Sequence, residues 1–490
     1  MKKIAHVELP VKLESLRVSV YFIRVLLETL DLPEDIVMAL EVAAEEVISN
    51  VIEHSGLTEE DFFELDVWNR AGAIEVVIRE KGVPVSLDEE LERVFDKTAE
   101  DFVENPEEKG LGFYILNRLV DEVEFHYEAR RGKVIKLVKR LPYDSILSEK
   151  RREYDFEVDF SLLKSGFLGP DDALLISQCI WHVYGYSYLW DVVYYPQKLA
   201  KYIESGDIIP YGYWYELEGE KRLVAHCALE NPGDWFTDVE IGMAVVVKNV
   251  RKKGLLKVMT DKLIEFAKNK LRKKAVFVQA VANHPVSQRV ALKNGFVPTA
   301  FLLSFLPAGM NFDGSGLNKR GAVVVFYKVF ERDKKVLFVP FKYADFVEGI
   351  YKSLKLEINI IYPELSWDEA KVASEVKTLW REDQKSGYVF IKRAGFDLVR
   401  ILEERIRSFK AKGAASCYVD VCLEDEKTAS FVDWLLLDGF TVAGILPEHI
   451  EGEDYLRMQW IDKDNSETKE FELVDEVSGL VKYVLSEVGF

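Results

Sequence analysis

Glu46 and Asn50 stand four residues apart in the run IVMALEVAAEEVISNVIEH (36–54), so on a helix they share one face. A carboxamide oxygen suits Mg²⁺, which prefers oxygen ligands and takes the remainder from phosphate and water. A carboxylate one turn earlier can orient or deprotonate a nucleophile attacking a γ-phosphate. His54 follows one turn later, within reach of phosphate, but a structural role at the helix end is the plainer reading. Glu80-Lys81-Gly82-Val83-Pro84 pairs a carboxylate with a glycine that lets backbone approach a flat base. Gly110-Leu111-Gly112 opens the helical run FYILNRLVDEV, where uncapped N–H groups and the helix dipole can hold phosphate. Each element alone would read as a solvated helix face or a helix entry; the three in this order describe a nucleotide site.

A second group lies where the strand-like run VEIGMAVVV feeds a helix through Lys248, Arg251, Lys252, Lys253, Gly254 and Lys257. Residues 246–274 hold 11 Lys and Arg against two Asp and Glu. A basic turn with a glycine at a helix N-terminus can cradle a pyrophosphate. Upstream, Glu240 is a candidate general base, with a rim salt bridge as its plainer alternative. His226 and His284 are further candidates, though a lone histidine beside a strand is usually structural. Tyr184, Tyr186 and Tyr188 would line an acceptor pocket or belong to the core.

These groups need elements to hold them. From 1 to 142 the pattern runs strand, long helix, helix, two strands, acidic loop, helix and a strand hairpin turning at Arg131-Gly132. Residues 143–153 form a charged linker. Residues 154–332 alternate strands and helices, starting with the strand-like FEVDFSLL, and 333–490 repeat part of that plan. In both, a strand passes through a polar turn into a short helix ending at Gly295-Phe296 or Gly439-Phe440, then a strand reaching Leu306-Pro307 or Leu446-Pro447. The last unit has Gly395 before a helix but no basic turn, so it is expected to be non-catalytic, with Glu453 and Asp454 as surface charges.

The chain has 490 residues, 48% hydrophobic, with 64 Lys and Arg against 84 Asp and Glu, a net charge of −20. Such an excess argues against nucleic acid and anionic membrane as partners. It is uneven: residues 88–108 hold ten acidic and two basic side chains. Neither a signal-like start nor a long uncharged apolar run is visible, so a cytoplasmic protein is expected. Cys179, Cys227, Cys417 and Cys422 lack the spacing of a zinc site and read as buried free thiols.

The first unit resembles the GHKL ATPases, and within them the anti-sigma-factor serine kinases. The resemblance implies ATP and Mg²⁺ as ligands, Glu46 as catalytic base and Asn50 as metal ligand. It also implies Gly110, Leu111 and Gly112 as the lid over the phosphates, and Glu80 and Gly82 at the adenine, Glu80 standing where the family usually has Asp. The second unit resembles the GNAT acyltransferases. Arg251-Lys252-Lys253-Gly254-Leu255-Leu256 follows their Arg/Gln-x-x-Gly-x-Gly/Ala signature except at Leu256. This implies acetyl-CoA or another acyl-CoA on that turn, its pantetheine along Ala244, Val245 and Val246, and Asn283 and the helix to Asn294 as a further CoA-side element. The fold class expected is α+β multidomain, an N-terminal GHKL (Bergerat) sandwich followed by two GNAT-like domains in tandem, the second degenerate. The function implied is an ATP-binding protein with acyl-CoA-dependent N-acyltransferase activity toward a small-molecule or protein amine, regulated by ATP. The alternative is a regulatory serine/threonine kinase or partner-switching module whose GNAT units sense acyl-CoA, and the kinase likeness implies a protein partner and a homodimer.

Overall fold

The computed structural model describes residues 2–30, 32–83, 116, 118–128, 132–142, 159–217, 220–231, 233, 235–308, 310–312, 315–316, 319–363, 372–382, 384–467 and 471–489. Two compact units emerge, Met1–Tyr143 and Asp144–Phe490. Gly110-Leu111-Gly112, the acidic segment 88–108 and the linker 143–153 lie outside the described residues.

In the first unit, β1 (Lys2–Pro10), β2 (Phe62–Asn69), β3 (Ala73–Glu80), β4 (Glu122–Tyr127) and β5 (Lys133–Arg140) form an antiparallel sheet in the order β1-β2-β3-β5-β4. Helices α1 (Leu13–Glu28) and α2 (Glu34–His54) accompany it. The apolar face of α2, with Leu40, Ala44, Val47 and Val51 buried, meets the inward residues Phe63, Leu65 and Val67 of β2 in one core. That burial fixes which face of α2 stays open, and Glu46 and Asn50 are on the half-buried flank.

The second unit is built on a single twelve-stranded sheet. Its first half contains β6 (Lys164–Phe167), α3 (Ala173–Tyr184), α4 (Pro196–Glu204), β7 (Ile208–Leu217), β8 (Glu220–Glu230) and β9 (Asp238–Val246). There follow α5 (Leu255–Asn269), β10 (Ala275–Val281), α6 (Val286–Lys293), β11 (Val297–Leu306), the short pair β12 (Asn311–Phe312) and β13 (Ser315–Gly316), and β14 (Gly321–Val329). The second half has β15 (Lys335–Phe338), α7 (Ala344–Leu354), β16 (Ile358–Ile361), β17 (Glu375–Arg381), β18 (Ser386–Arg393) and α8 (Leu398–Ala411). It ends with β19 (Ser416–Cys422), α9 (Glu426–Ser430), α10 (Val432–Leu437), β20 (Thr441–Ile450), β21 (Glu453–Ile461) and α11 (Asp475–Val488). The sheet order is β17-β18-β19-β21-β20-β11-β14-β10-β9-β8-β7-β6.

The two halves are repeats down to their irregularities. β11 pairs with β14 through register shifts at Pro298/Ala300 and Leu302/Leu306; β20 pairs with β21 through shifts at Val442/Gly444 and Leu446/Ile450. Counted from Gly295-Phe296 and Gly439-Phe440, these are the same positions, and Ser304 and Glu448, also equivalent, share the same unusual φ of 56°. The halves meet where β11 and β20 pair at Ala300 and Gly444, again equivalent residues, so a pseudo-two-fold axis passes between them. Gly444 is required there because a Cβ would strike the backbone of Thr299 and Ala300. Leu306-Pro307 and Leu446-Pro447 are four residues out of step in this alignment and are not equivalent.

Two expectations are corrected. In the described part of FEVDFSLL, Phe160–Leu162 is a 3-10 turn, because the Asp159 carboxylate accepts from the Ser161 N–H at 2.9 Å; the strand comes after it, at Lys164–Phe167. Asp454 is fully buried, accepting from Arg332 at 2.8 Å and Tyr351 at 2.5 Å with Lys335 at 3.1 Å, and Glu453 binds Arg393 at 2.6 Å. The cations that enter with the connection to the second repeat neutralise Asp454 and hold its carboxyl below the usual range despite burial.

Candidate functional site

In the first unit the Asn50 amide donates to Glu46 Oε1 at 3.1 Å on the half-buried flank of α2. At the end of β3, Glu80 is buried; its Oε1 meets Lys133 at 2.7 Å and its Oε2 accepts from the Gly82 N–H. Gly82 itself is packed too closely against Ser55 and Glu80 to admit a Cβ. Glu80 is therefore built into the turn. His54 ends α2 and lies beside Glu53 at 3.8 Å.

In the second unit the decisive feature is a divergence of strands. β9 and β10 run parallel but pair only from Asp238 to Glu240 on β9, with Ala275 to Phe277 on β10. Beyond that, β9 continues to Val246 paired with β8, and among the described residues no strand lies beside the other edge of 241–246. A bulge at Met243, φ 49°, sharpens the separation. Ala244 is exposed, Val245 buried and Val246 half-buried, and the Tyr184 hydroxyl donates to the Ala244 carbonyl at 3.4 Å. A cavity of about 740 Å³ opens here, lined by Gly242, Met243, Ala244, Leu256, Thr260 and Val278 among others.

The basic turn follows β9. Arg251 Nε donates to the Val246 carbonyl at 3.0 Å, and Lys252 and Gly254 both take left-handed conformations, φ 65° and 78°. Lys253 rides over the Phe160 ring at 4.8 Å. Gly254 is the N-cap of α5, Leu255 its first residue, and nothing lies within 4 Å of where a Gly254 Cβ would be. The first amides of α5 thus face open space beside cations, a fit for a pyrophosphate. Leu256 lines the cavity. Asn283, after β10, has a buried Oδ1 without a hydrogen-bond partner, while Asn294 is spent structurally, donating to Lys257 O at 3.1 Å and Asp261 at 2.8 Å.

Glu240 lies on the cavity wall directly across the β8–β9 ladder from Glu230. Both carboxylates lean over Gly242, where a Cβ would fall on the Glu230 oxygen. Burial pushes Glu230 up to about 7 against the pull of Arg381, and burial plus the charge of Glu230 pushes Glu240 well above the carboxylate range. The pair therefore shares a proton at neutral pH. Tyr188 is raised well above its ordinary value by burial, with the two carboxylates adding to it. Of the histidine alternatives, His226 is fully buried in β8 and pushed down to about 4, a core residue, whereas His284 lines the cavity. Tyr184 and Tyr188 line it too, their rings 5.2 Å apart.

Sequence reasoning did not single out Glu230, nor the contribution of the second repeat. Leu379, Arg381, Tyr388, Phe390 and His449 also line the cavity. Behind them, Asp238 accepts from Tyr327 at 2.7 Å and binds His449 Nδ1 at 2.7 Å, His449 Nε2 lies 3.5 Å from Asp420, and Asp420 takes both bonds from Arg457 at 2.6 Å. Although burial opposes it, the two aspartates raise His449 to about 9. In the second repeat, the equivalents of β9 and β10 are β18 and β19, and these pair without interruption from Ser386–Ser416 to Ile391–Val421. Among the described residues no such splay separates them, which agrees with the missing basic turn.

Residues 9–139 match the family model of the histidine kinase-like ATPase domain, and residues 181–297 match that of the acetyltransferase (GNAT) domain. The chain joins an ATPase-like domain to a GNAT domain. No curated protein matches it. Among solved structures, the ribosomal-protein-S5-alanine acetyltransferase of Vibrio fischeri is 11% identical, covering 36% of this chain and 97% of its own, with a TM-score of 0.28. The spermidine N-acetyltransferase of Vibrio cholerae, solved with CoA and spermine, is 15% identical, covering 34% of this chain and 96% of its own, with a TM-score of 0.27. The GNAT match spans the wedge, the basic turn and the carboxylate pair. All four cysteines are free and buried, and among the described residues no helix is long and apolar enough to cross a membrane.

Proposed function

We propose that the GNAT domain transfers an acyl group from acetyl-CoA or another acyl-CoA to an amine, and that the ATPase-like domain binds ATP with Mg²⁺. The observation that carries the first part is the wedge between β9 and β10, with the basic turn at one end and the carboxylate pair at the other. The unpaired edge of 241–246 suits the amide groups of pantetheine. Arg251, Lys252, Lys253, Gly254 and Leu255 suit the pyrophosphate, and the orphaned Asn283 Oδ1 suits a donor on the CoA arm. Glu240, coupled to Glu230, takes a proton from the acceptor ammonium; the freed nitrogen attacks the thioester carbonyl, the N–C bond forms and the C–S bond breaks. Of the two protons the nitrogen sheds, one leaves through the carboxylate pair to solvent and the other ends on sulfur. Tyr184, at the Ala244 carbonyl, is the donor to the thiolate.

For the first domain, Glu46 and Asn50 would hold the metal side of ATP, Gly82 and Glu80 the base, and the glycines 110 and 112 the phosphates. The nucleotide would supply a transferable phosphoryl group or a ligand-controlled ordering of that domain. Four free thiols support a reducing, cytoplasmic setting. Fusion in one chain supports regulation of acyl transfer by ATP, and acetyl-CoA titrations with and without Mg-ATP test it: equal affinities contradict it. The acyltransferase reading is tested by following thiol release from acetyl-CoA with a panel of primary amines. Amine-dependent release that falls at least about a hundredfold in Glu240→Gln supports it; no amine-dependent release from the folded protein overturns it.

A further inference from the structure

We propose that the acyl acceptor is a monoamine with a large apolar or aromatic body, its nitrogen at Glu230 and Glu240 and its body on an apolar floor that both repeats build. The inference rests on the acyltransferase reading and names the acceptor class of that site.

Strand register puts the base and the floor on one face of the twelve-stranded sheet. Directly paired residues point to the same side, and alternate residues along a strand do too. Glu240 pairs with Phe277 on β10, and Phe277 with Tyr327 on β14, two residues beyond Val325. From Val325 the same side continues through Ala300, Gly444, Arg457 and Asp420 to Phe390 of β18, and from there to Lys377 and Leu379 of β17. This face closes on itself. The Lys377 ammonium, at the far end of the sheet, sits 3.6 Å from the centre of the Trp235 ring between β8 and β9, and the Thr237 N–H donates to the His449 carbonyl at 3.0 Å. The face is thus concave, and the cavity of about 740 Å³ lies within it.

The chemistry changes along this face. At one end stand the half-buried Glu230 and Glu240 with their shared proton. The other carboxylates facing the cavity region are spent within the wall, Asp238 on Tyr327 and His449, Asp420 on Arg457. Away from the glutamates the lining is apolar: Phe277, Phe305, Val325, Phe390 and Leu446 border the cavity, and the last four are buried members of one core cluster drawn from both repeats. A polyamine could place one nitrogen at the glutamates, but its remaining ammonium groups would meet this floor without a partner. A monoamine with an apolar body satisfies both ends. The body belongs to the acceptor and not to the acyl group, because the CoA arm follows the open edge of β9, in the plane of the sheet, whereas Glu240 and the floor share its face.

The test follows thiol release by the full-length protein from acetyl-CoA with ethylamine, hexylamine, 3-phenylpropylamine and spermidine, and from octanoyl-CoA with ethylamine. The expected result is that the better of the two large monoamines exceeds both ethylamine and spermidine by about tenfold or more in kcat/KM, mainly through KM. Val325→Phe fills the floor and Leu379→Gln makes its exposed border polar; each should cut the ratio of large amine to ethylamine at least about threefold. Thermal melting verifies folding, and the exposed Leu379 gives a variant that keeps the test open if Val325→Phe does not fold. Equal kcat/KM for ethylamine and the large monoamines, a preference for spermidine, or a ratio unchanged in the folded variants overturns the proposal and leaves the acyltransferase reading intact. A gain with octanoyl-CoA in place of a gain with the large amines also overturns it, because the floor then serves the acyl group. Thiol release with none of the amines overturns the acyltransferase reading and this inference with it.

Discussion

Glu230→Gln removes one of two carboxylates that oppose each other across β8 and β9, and the pH dependence of acyl transfer reports the consequence. Directly opposed residues on antiparallel strands set their Cβ atoms about 5 Å apart, and both side chains here lean over Gly242. At that separation and an effective dielectric of about 20, two like charges repel by about 3 kcal/mol, equivalent to about two pH units. Glu240 is lifted first by burial and second by Glu230, so only the second contribution disappears in the variant. Base catalysis requires a deprotonated Glu240, so in the wild type kcat/KM rises with pH through an apparent value above the ordinary carboxylate range, where burial and the charge of Glu230 hold Glu240. In Glu230→Gln the rise moves to lower pH by one to two units, part of the full repulsion being offset by Arg381 in both proteins. Glu240→Gln behaves differently, losing about a hundredfold or more in rate across the profile. The assay is thiol release at saturating acetyl-CoA between pH 5.5 and 9. A rise at the same pH in wild type and Glu230→Gln would refute the idea that the two carboxylates share a proton.

Three further measurements probe other parts of the molecule. Gly242→Ala places a methyl group where the Glu230 carboxylate lies, so transfer falls at least about tenfold while CoA affinity, read by calorimetry, changes little. His449 has a folded-state value raised to about 9, so its contribution to stability is complete below its unfolded value near 6.5 and is lost as the pH rises through 9. Denaturant titrations across that window should show stability declining by a few kcal/mol in the wild type, and the decline should be absent in His449→Gln, which starts less stable because Asp238 and Asp420 lose their partner. Asn50→Ala removes the carboxamide proposed to hold the cation, and Mg-ATP binding should weaken by at least about tenfold with CoA binding unaltered; equal ATP affinity in variant and wild type contradicts a metal role for Asn50.

Much of this arrangement was legible before the fold. The apolar spacing from Val37 to Val51 sets which face of α2 is buried and leaves Glu46 and Asn50 on its flank, and Gly254 behind three basic residues marks the N-terminus of α5. Such features are local, written in helical periodicity and in the φ that a turn demands. Glu230 was hidden by sequence distance alone: a hairpin turning about Trp235 necessarily sets it opposite Glu240, so a register argument would have found it. Asp454 reads as a surface charge in sequence because nothing nearby announces Arg332 and Lys335, more than a hundred residues earlier. Arg381 is the least legible, since its place in the site depends on two repeats sharing one sheet through β11 and β20. Phe160 was misread because a single capping aspartate, Asp159, outweighs the alternating pattern around it.

The splay between β9 and β10, ending at Gly254, is the proposed CoA site. Calorimetric titration of CoA into the wild type and Gly254→Glu tests it most directly, because a carboxylate there adds bulk to the open cap of α5 and repels a pyrophosphate. The wild type should bind CoA saturably and one-to-one, and the variant should lose that binding with its melting temperature unchanged. CoA heats that are the same in both proteins, or no CoA binding by the folded wild type, would contradict it.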